Sequence, residues 1–96
     1  MKLISNTRAT DGVHKYAATF ETDSGRTKTT KYGAAGMDDY TKTHDKAQRD
    51  RYRTRHKKDL ATGDPTRAGF LSYHVLWGNS TSMHANLAAY RARYHL

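Results

Sequence analysis

Between Lys42 and Lys58 the chain reads KTHDKAQRDRYRTRHKK, and this stretch limits the possible folds more than any other. Eight Lys and Arg residues here oppose two acids, Asp45 and Asp50, which leaves +6 of the formal net charge of +8 in one segment. Such a block cannot be buried unpaired, because taking an ammonium or guanidinium out of water costs far more than packing returns. It faces water, or an acidic or polyanionic partner. The segment holds no Gly or Pro and is rich in Lys, Arg, Gln and Ala, so a helix is expected, starting near Thr43 or His44-Asp45 and ending at Thr62-Gly63. On it Ala47, Arg51 and Arg55 share one stripe, with Gln48, Tyr52 and His56 beside them. That apolar face is thin, so most of the helix should stay outside the core.

The core must come from the flanks. Upstream, Val13 to Phe20 alternates, with His14, Tyr16, Ala18 and Phe20 on one face and Val13, Lys15, Ala17 and Thr19 on the other. Thr22-Asp23-Ser24-Gly25 is turn chemistry, and Arg26 to Tyr32 is the return strand, its Lys and Thr expected to face water. Lys2 to Asn6 adds a short third strand across the Thr10-Asp11-Gly12 turn, and Gly33-Ala34-Ala35-Gly36 forms a hinge-like loop into Met37-Asp38-Asp39-Tyr40. Downstream, Asp64-Pro65 places an N-cap carboxylate before a proline at the first helical position, and Gly78 follows Trp77. The helix between them is apolar almost all round, which makes it the central buried element. Ser80 or Thr81 is expected to cap a last helix striped by Met83, Leu87, Tyr90 and Tyr94. The expected fold is α+β: an N-terminal antiparallel β-hairpin or short meander packed on two or three C-terminal helices. It forms one small basic domain over residues 1–96, with its β part about 1–36 and its helical part about 40–96. Phe70, Leu71, Val75, Leu76, Trp77, Leu87 and Tyr90 should pack together against the His14, Tyr16, Ala18 and Phe20 face.

Only 35% of the residues are apolar, and seven Tyr carry most of the aromatic share. A chain of 96 residues with that composition sits where one core gives marginal stability, so a partner would help it. With no cysteine, neither a disulfide nor a thiolate metal site is available. No apolar run has the length of a membrane span, and no signal-peptide pattern follows Met1 to Ile4. His14, His44, His56, His74, His84 and His95 are scattered, with no pair at i, i+4, so no metal and no cofactor are expected. Asp38-Asp39 beside Glu21 could be drawn as a nuclease carboxylate cluster, but adjacent acids rarely converge on one ion. Ser72 and Ser80 lack a nucleophile-elbow context, and Gly33-x-x-Gly36 lacks the Lys-Ser/Thr of a phosphate loop. The expectation is a non-enzymatic protein.

Binding chemistry therefore falls to Lys42, Lys46, Arg49, Arg51, Tyr52, Arg53, Arg55, Lys57 and Lys58. Arg and Lys would displace counterions from phosphates while Tyr52 stacks on a base or sugar. The same residues could instead dock on an acidic protein surface, or simply form a solvated helix face.

The succession Lys31-Tyr32-Gly33-Ala34-Ala35-Gly36, Asp39-Tyr40-Thr41, His44-x-Lys46, Arg49-x2-Tyr52-x2-Arg55-His56-Lys57-Lys58, Asp64-Pro65-x2-Ala68-Gly69 and Leu76-Trp77 resembles a small basic domain family of uncharacterised function. That family is found in nucleocytoplasmic large DNA viruses of algae and protists. The chain departs from its pattern near Ser72 to His74, where another aromatic is expected, and at Gly78-Asn79, where a Lys-Pro pair is expected. The resemblance carries no activity and no catalytic residues. It implies a structural protein of a large DNA virus, a minor capsid or internal virion component found in the virion and in the host cell interior during assembly. Its partners would be other capsid or virion proteins, with viral DNA a further candidate. The alternative is a DNA- or RNA-binding accessory protein that contacts the phosphate backbone.

Overall fold

Alternation in the N-terminal third becomes three strands, β1 (Lys2–Arg8), β2 (His14–Glu21) and β3 (Thr27–Ala34), in a computed structural model that describes residues 1–96. They form an antiparallel meander in the order β1-β2-β3. Ala18 lies opposite Asn6 on one side and Thr30 on the other, and Phe20 lies between Leu3 and Lys28. A register shift between Leu3 and Ser5 inserts an extra residue into β1, which puts both Leu3 and Asn6 on the face that meets the helices.

That face buries Leu3, Ala18, Phe20 and Tyr32. The same period of two corrects the expectation for β3, whose Lys and Thr do not all face water. Lys28 and Thr30 share the face of Tyr32: Lys28 Nζ donates to Thr66 Oγ1 at 2.9 Å and Thr30 Oγ1 to the Thr66 carbonyl at 2.7 Å. His14 leaves its expected place in the core, because its Nδ1 lies 2.7 Å from Asp11 Oδ2.

Four α-helices follow the sheet: α1 (Tyr40–Thr43), α2 (Lys46–His56), α3 (Ala68–Leu71) and α4 (Met83–Tyr94). A 3-10 segment, Lys57–Thr62, extends α2, and a π-helical segment, Ser72–Leu76, extends α3. The third helix thus starts later than Pro65. The Asp64 carboxylate accepts from the Thr66 amide and hydroxyl at 2.9 and 2.7 Å, which spends its capping capacity on a local turn. The bond from the Trp77 amide to the Ser72 carbonyl, 3.0 Å, closes the wider π turn, and Tyr73, Val75, Leu76 and Trp77 are all buried. The last helix is capped by Ser82, not by Ser80 or Thr81; Ser82 Oγ accepts from the Ala85 amide at 3.2 Å. On α4, Asn86 and Tyr90 are buried while Leu87 is only partly so, because Asn86 takes the central place against the end of the π segment.

The core lies between the sheet and the α3–π unit, with α4 closing it. Arg91 donates to the Leu3 carbonyl at 3.2 Å and the Leu3 amide donates to the Leu96 carbonyl at 3.1 Å, which ties α4 to the edge strand β1. Phe70, His74, Tyr90 and Tyr94 pack edge-on and tilted around one another, with His74 Nε2 3.0 Å from the Tyr94 hydroxyl.

Burial, aided by the nearby charges of Arg93 and Arg53, lowers the His74 pKa from 6.5 to about 4. The unfolded chain therefore takes up the proton first on acidification. The neutral ring's contribution is fully present above pH 6.5 and is lost as the pH falls toward 4. Urea midpoints should drop between pH 7 and pH 4.5 by the equivalent of about 1 kcal/mol, since solvent screens this half-buried ring. His74→Gln should remove most of that dependence; an equally steep loss in the variant would assign it to other groups.

Candidate nucleic-acid interface

The basic segment forms its helix as expected. Asp45 Oδ1 accepts from the Gln48 amide at 3.1 Å as N-cap, and Arg53, Arg55 and His56 occupy the last turn, where the helix dipole favours cations. The run stops at Gly63, in the left-handed region with φ 65°.

Its nine candidate residues divide into two sets. Three of them, Arg49, Tyr52 and Arg53, join Gln48 and His56 in an inward stripe spaced i, i+1, i+4, i+5 and i+8, all partly buried. The Arg49 guanidinium lies 5.0 Å from the Tyr40 ring centroid and bonds Asp50 at 2.9 Å. Arg53 lies 4.7 Å over the Tyr73 ring and donates to Asn79 Oδ1 at 2.9 Å. Tyr52 is sandwiched, its ring 4.1 Å from His56 and 4.4 Å from Trp77 by centroid, both close to parallel. The expectation that Tyr52 stacks on a base is corrected by this geometry, because both ring faces are already covered. Burial first, then the Asp59 charge, raises its hydroxyl pKa. These inward contacts are stacking and cation–π interactions, which let a polar stripe dock on an aromatic surface without aliphatic residues.

The other six, Lys42, Lys46, Arg51, Arg55, Lys57 and Lys58, are exposed and none takes part in an ion pair. Arg51, Arg55 and Lys58 follow one another at helical spacing, and α2 alone is about 16 Å long. Uncompensated cations along a ridge of that length sum to a field that attracts polyanions.

Beside the ridge lies a cleft of 740 Å³ between the Gly33–Gly36 end of the sheet and the helices. Tyr52, Leu76 and Trp77 line it, together with Lys31 and Arg55. Gly33, at φ 76°, makes the close approach possible, since a Cβ there would stand 2.8 Å from Leu76 Cδ1 and 3.1 Å from Lys15 Cβ.

The carboxylates drawn together on paper stand apart. Asp39 is buried, with Oδ2 2.5 Å from Lys15 Nζ and Oδ1 accepting from the Thr41 amide at 2.9 Å, so it caps α1. Glu21 lies at the far end of β2 from Lys15. The histidines are equally dispersed: His56 meets Asp59 at 3.0 Å, and His44 and His95 adopt the left-handed conformation that ends α1 and α4.

Reasoning from the sequence missed the small polar residues that hold the basic helix and the core in place. Asn79 receives Arg53 through its side chain, and its carbonyl lies 3.5 Å from Arg49. Asn86 donates to the Val75 and Ser80 carbonyls and accepts from the Ser80 amide. Neither sits in a local pattern that marks it.

No helix is long and apolar enough to cross a membrane. No curated protein and no solved structure matches the chain. A family model matches residues 6–56, from within β1 to the last residue of α2; it takes in most of the sheet and the ridge but not α3 or α4. The match spans more than half of the residues, and the chain belongs to the family of unknown function DUF5754.

Proposed function

We propose that the chain is a non-enzymatic binding module that grips the phosphate backbone of duplex DNA through Lys42, Lys46, Arg51, Arg55, Lys57 and Lys58. The observation that carries this reading is that all six are exposed and none is ion-paired. Between them stand Ala47, Thr54 and Asp50, the last held by Arg49, with no large apolar side chain on the outer surface of α2. A protein interface usually centres on apolar and aromatic residues and is depleted of charge, whereas a backbone-binding surface needs only cations at suitable spacing. Binding of this kind is indifferent to sequence. The resemblance to a viral family supports a setting inside the particle of a large DNA virus, as an internal or minor capsid component beside viral DNA and other virion proteins.

Fluorescence anisotropy on duplex DNA at several salt concentrations tests the proposal. Five or six phosphate contacts should give a log–log slope of about −4 to −5. A slope shallower than about −2 would mean that the ridge does not lie along a backbone. Mass spectrometry of purified particles tests the setting: presence in infected-cell lysate with absence from particles would remove the structural role and leave an accessory one.

A further inference from the structure

The cleft beside the ridge has a composition unlike the ridge itself. Val13 and Met37, each 63% exposed, are the most exposed large hydrophobic side chains of the protein, and both line this cleft. Two backbone bonds bring their segments together: the Ala35 amide donates to the Val13 carbonyl at 2.9 Å, and the Met37 amide to the Ala34 carbonyl at 3.1 Å. In a chain with few apolar residues to spend, two of them standing in water at the mouth of one cleft is a feature that folding does not require. Two accessible cations line the same cleft. Arg55 is unpaired, and Lys31, half exposed, has only Asp11 at 3.5 Å. Lys15 is occupied by Asp39, so Asp38 is the one lining carboxylate.

We infer that this cleft docks an acidic protein segment, which lays one apolar side chain on Val13 and Met37 while its carboxylates meet Arg55 and Lys31. Charge complementarity selects an acidic occupant, and the apolar pair selects a side chain over a bare anion. Methionine, flexible and polarizable, adapts to such an anchor. A nucleotide base fits less well, because Tyr52 is covered on both faces, Tyr32 and Trp77 are almost wholly buried, and the half-exposed rings of His14 and His56 are held by Asp11 and Asp59. The inference goes beyond DNA binding and shares one residue with it: nucleic acid on the outer side of α2 and a protein partner in the cleft would meet at Arg55, while Val13, Met37 and Lys31 belong to the cleft alone.

Trp77 is the only tryptophan, and it lines the cleft, so its fluorescence reports occupancy. Two short peptides of Asp and Glu, one with a central Leu and one with Gly in its place, serve as probes. The Leu peptide should change Trp77 emission and bind about tenfold more tightly than the Gly peptide. The double variant Val13→Ser, Met37→Ser should bring the Leu peptide down to the level of the Gly peptide. Its far-UV circular dichroism should be unchanged, since both side chains are exposed, and its affinity for duplex DNA should stay within about twofold. Equal binding of the two peptides would overturn the proposal by reducing it to charge alone. A Trp77 response to oligothymidylate at lower concentration than to the Leu peptide, kept when the ridge is weakened by Lys46→Glu and Arg51→Glu, would overturn it in favour of a nucleotide site. Loss of DNA binding in the unsubstituted protein would count against the ridge only.

Discussion

Gly78→Ala is expected to destabilise the fold severely, although the new side chain is a single methyl group. A Cβ at this position would overlap the His74 carbonyl oxygen and stand 2.8 Å from both Cγ and Oδ1 of Asn86. Neither neighbour can yield cheaply. The carbonyl belongs to the buried π segment, and Asn86, 4% exposed, makes three hydrogen bonds that join that segment to the start of α4. Displacing it leaves buried polar groups unpaired. The loss should be at least about 3 kcal/mol, a fall in Tm on the order of 15 °C for a domain of this size. Leu76→Ala, which empties a fully buried site at about 2 to 5 kcal/mol, is the yardstick. Thermal melts of both variants decide the matter: a Gly78→Ala protein that melts with the unsubstituted chain would mean that the π segment and α4 are not packed this closely.

Charge reversal at Arg51 and Arg55 is expected to weaken duplex DNA binding by about a hundredfold at moderate salt and to flatten the salt slope by about two units. Arg49→Ala and Arg53→Ala should behave differently, though they lie on the same helix and carry the same charge. Their guanidinium groups rest on Tyr40 and Tyr73 and reach Asn79, so their loss should cost about 1 kcal/mol of stability each, lower Tm accordingly, and leave the slope nearly unchanged. Paired melting curves and salt titrations for the four positions measure the division of the helix into a holding face and a binding face. If Arg49→Ala flattens the slope as much as Arg51→Ala, that division is wrong.

Much of the architecture is legible from local pattern. The alternation of Tyr16, Ala18 and Phe20 marks a half-buried strand, and the Gly- and Pro-free basic run marks a helix that must stay on the surface. The apolar run from Phe70 to Trp77 is the core because no other segment has enough greasy surface to fill one. Boundaries were less legible. Asp64 and Ser80 both carry capping chemistry, but each spends it on a nearby turn, Asp64 on Thr66 and the Ser80 hydroxyl on the Ser82 amide, and no local rule separates those uses from a helix cap.

What the sequence by itself determined is the sign and place of the charge, the α+β class, and which elements carry the core, because these follow from periodicity and from the cost of burying ions. What only the tertiary structure decided is the role of each cation and ring. Arg49 and Arg51 are indistinguishable in sequence, yet one lies over Tyr40 and the other in solvent, since a rotation of about 200° around the helix separates them and the facing element comes from elsewhere in the chain. Tyr52 lost its expected stacking role to His56 and Trp77, the latter brought from beyond the 3-10 segment. Val13 and Met37, far apart in the chain, became neighbours at one cleft through two backbone bonds. Such meetings are long-range contacts, and a local pattern cannot encode the partner that packing supplies.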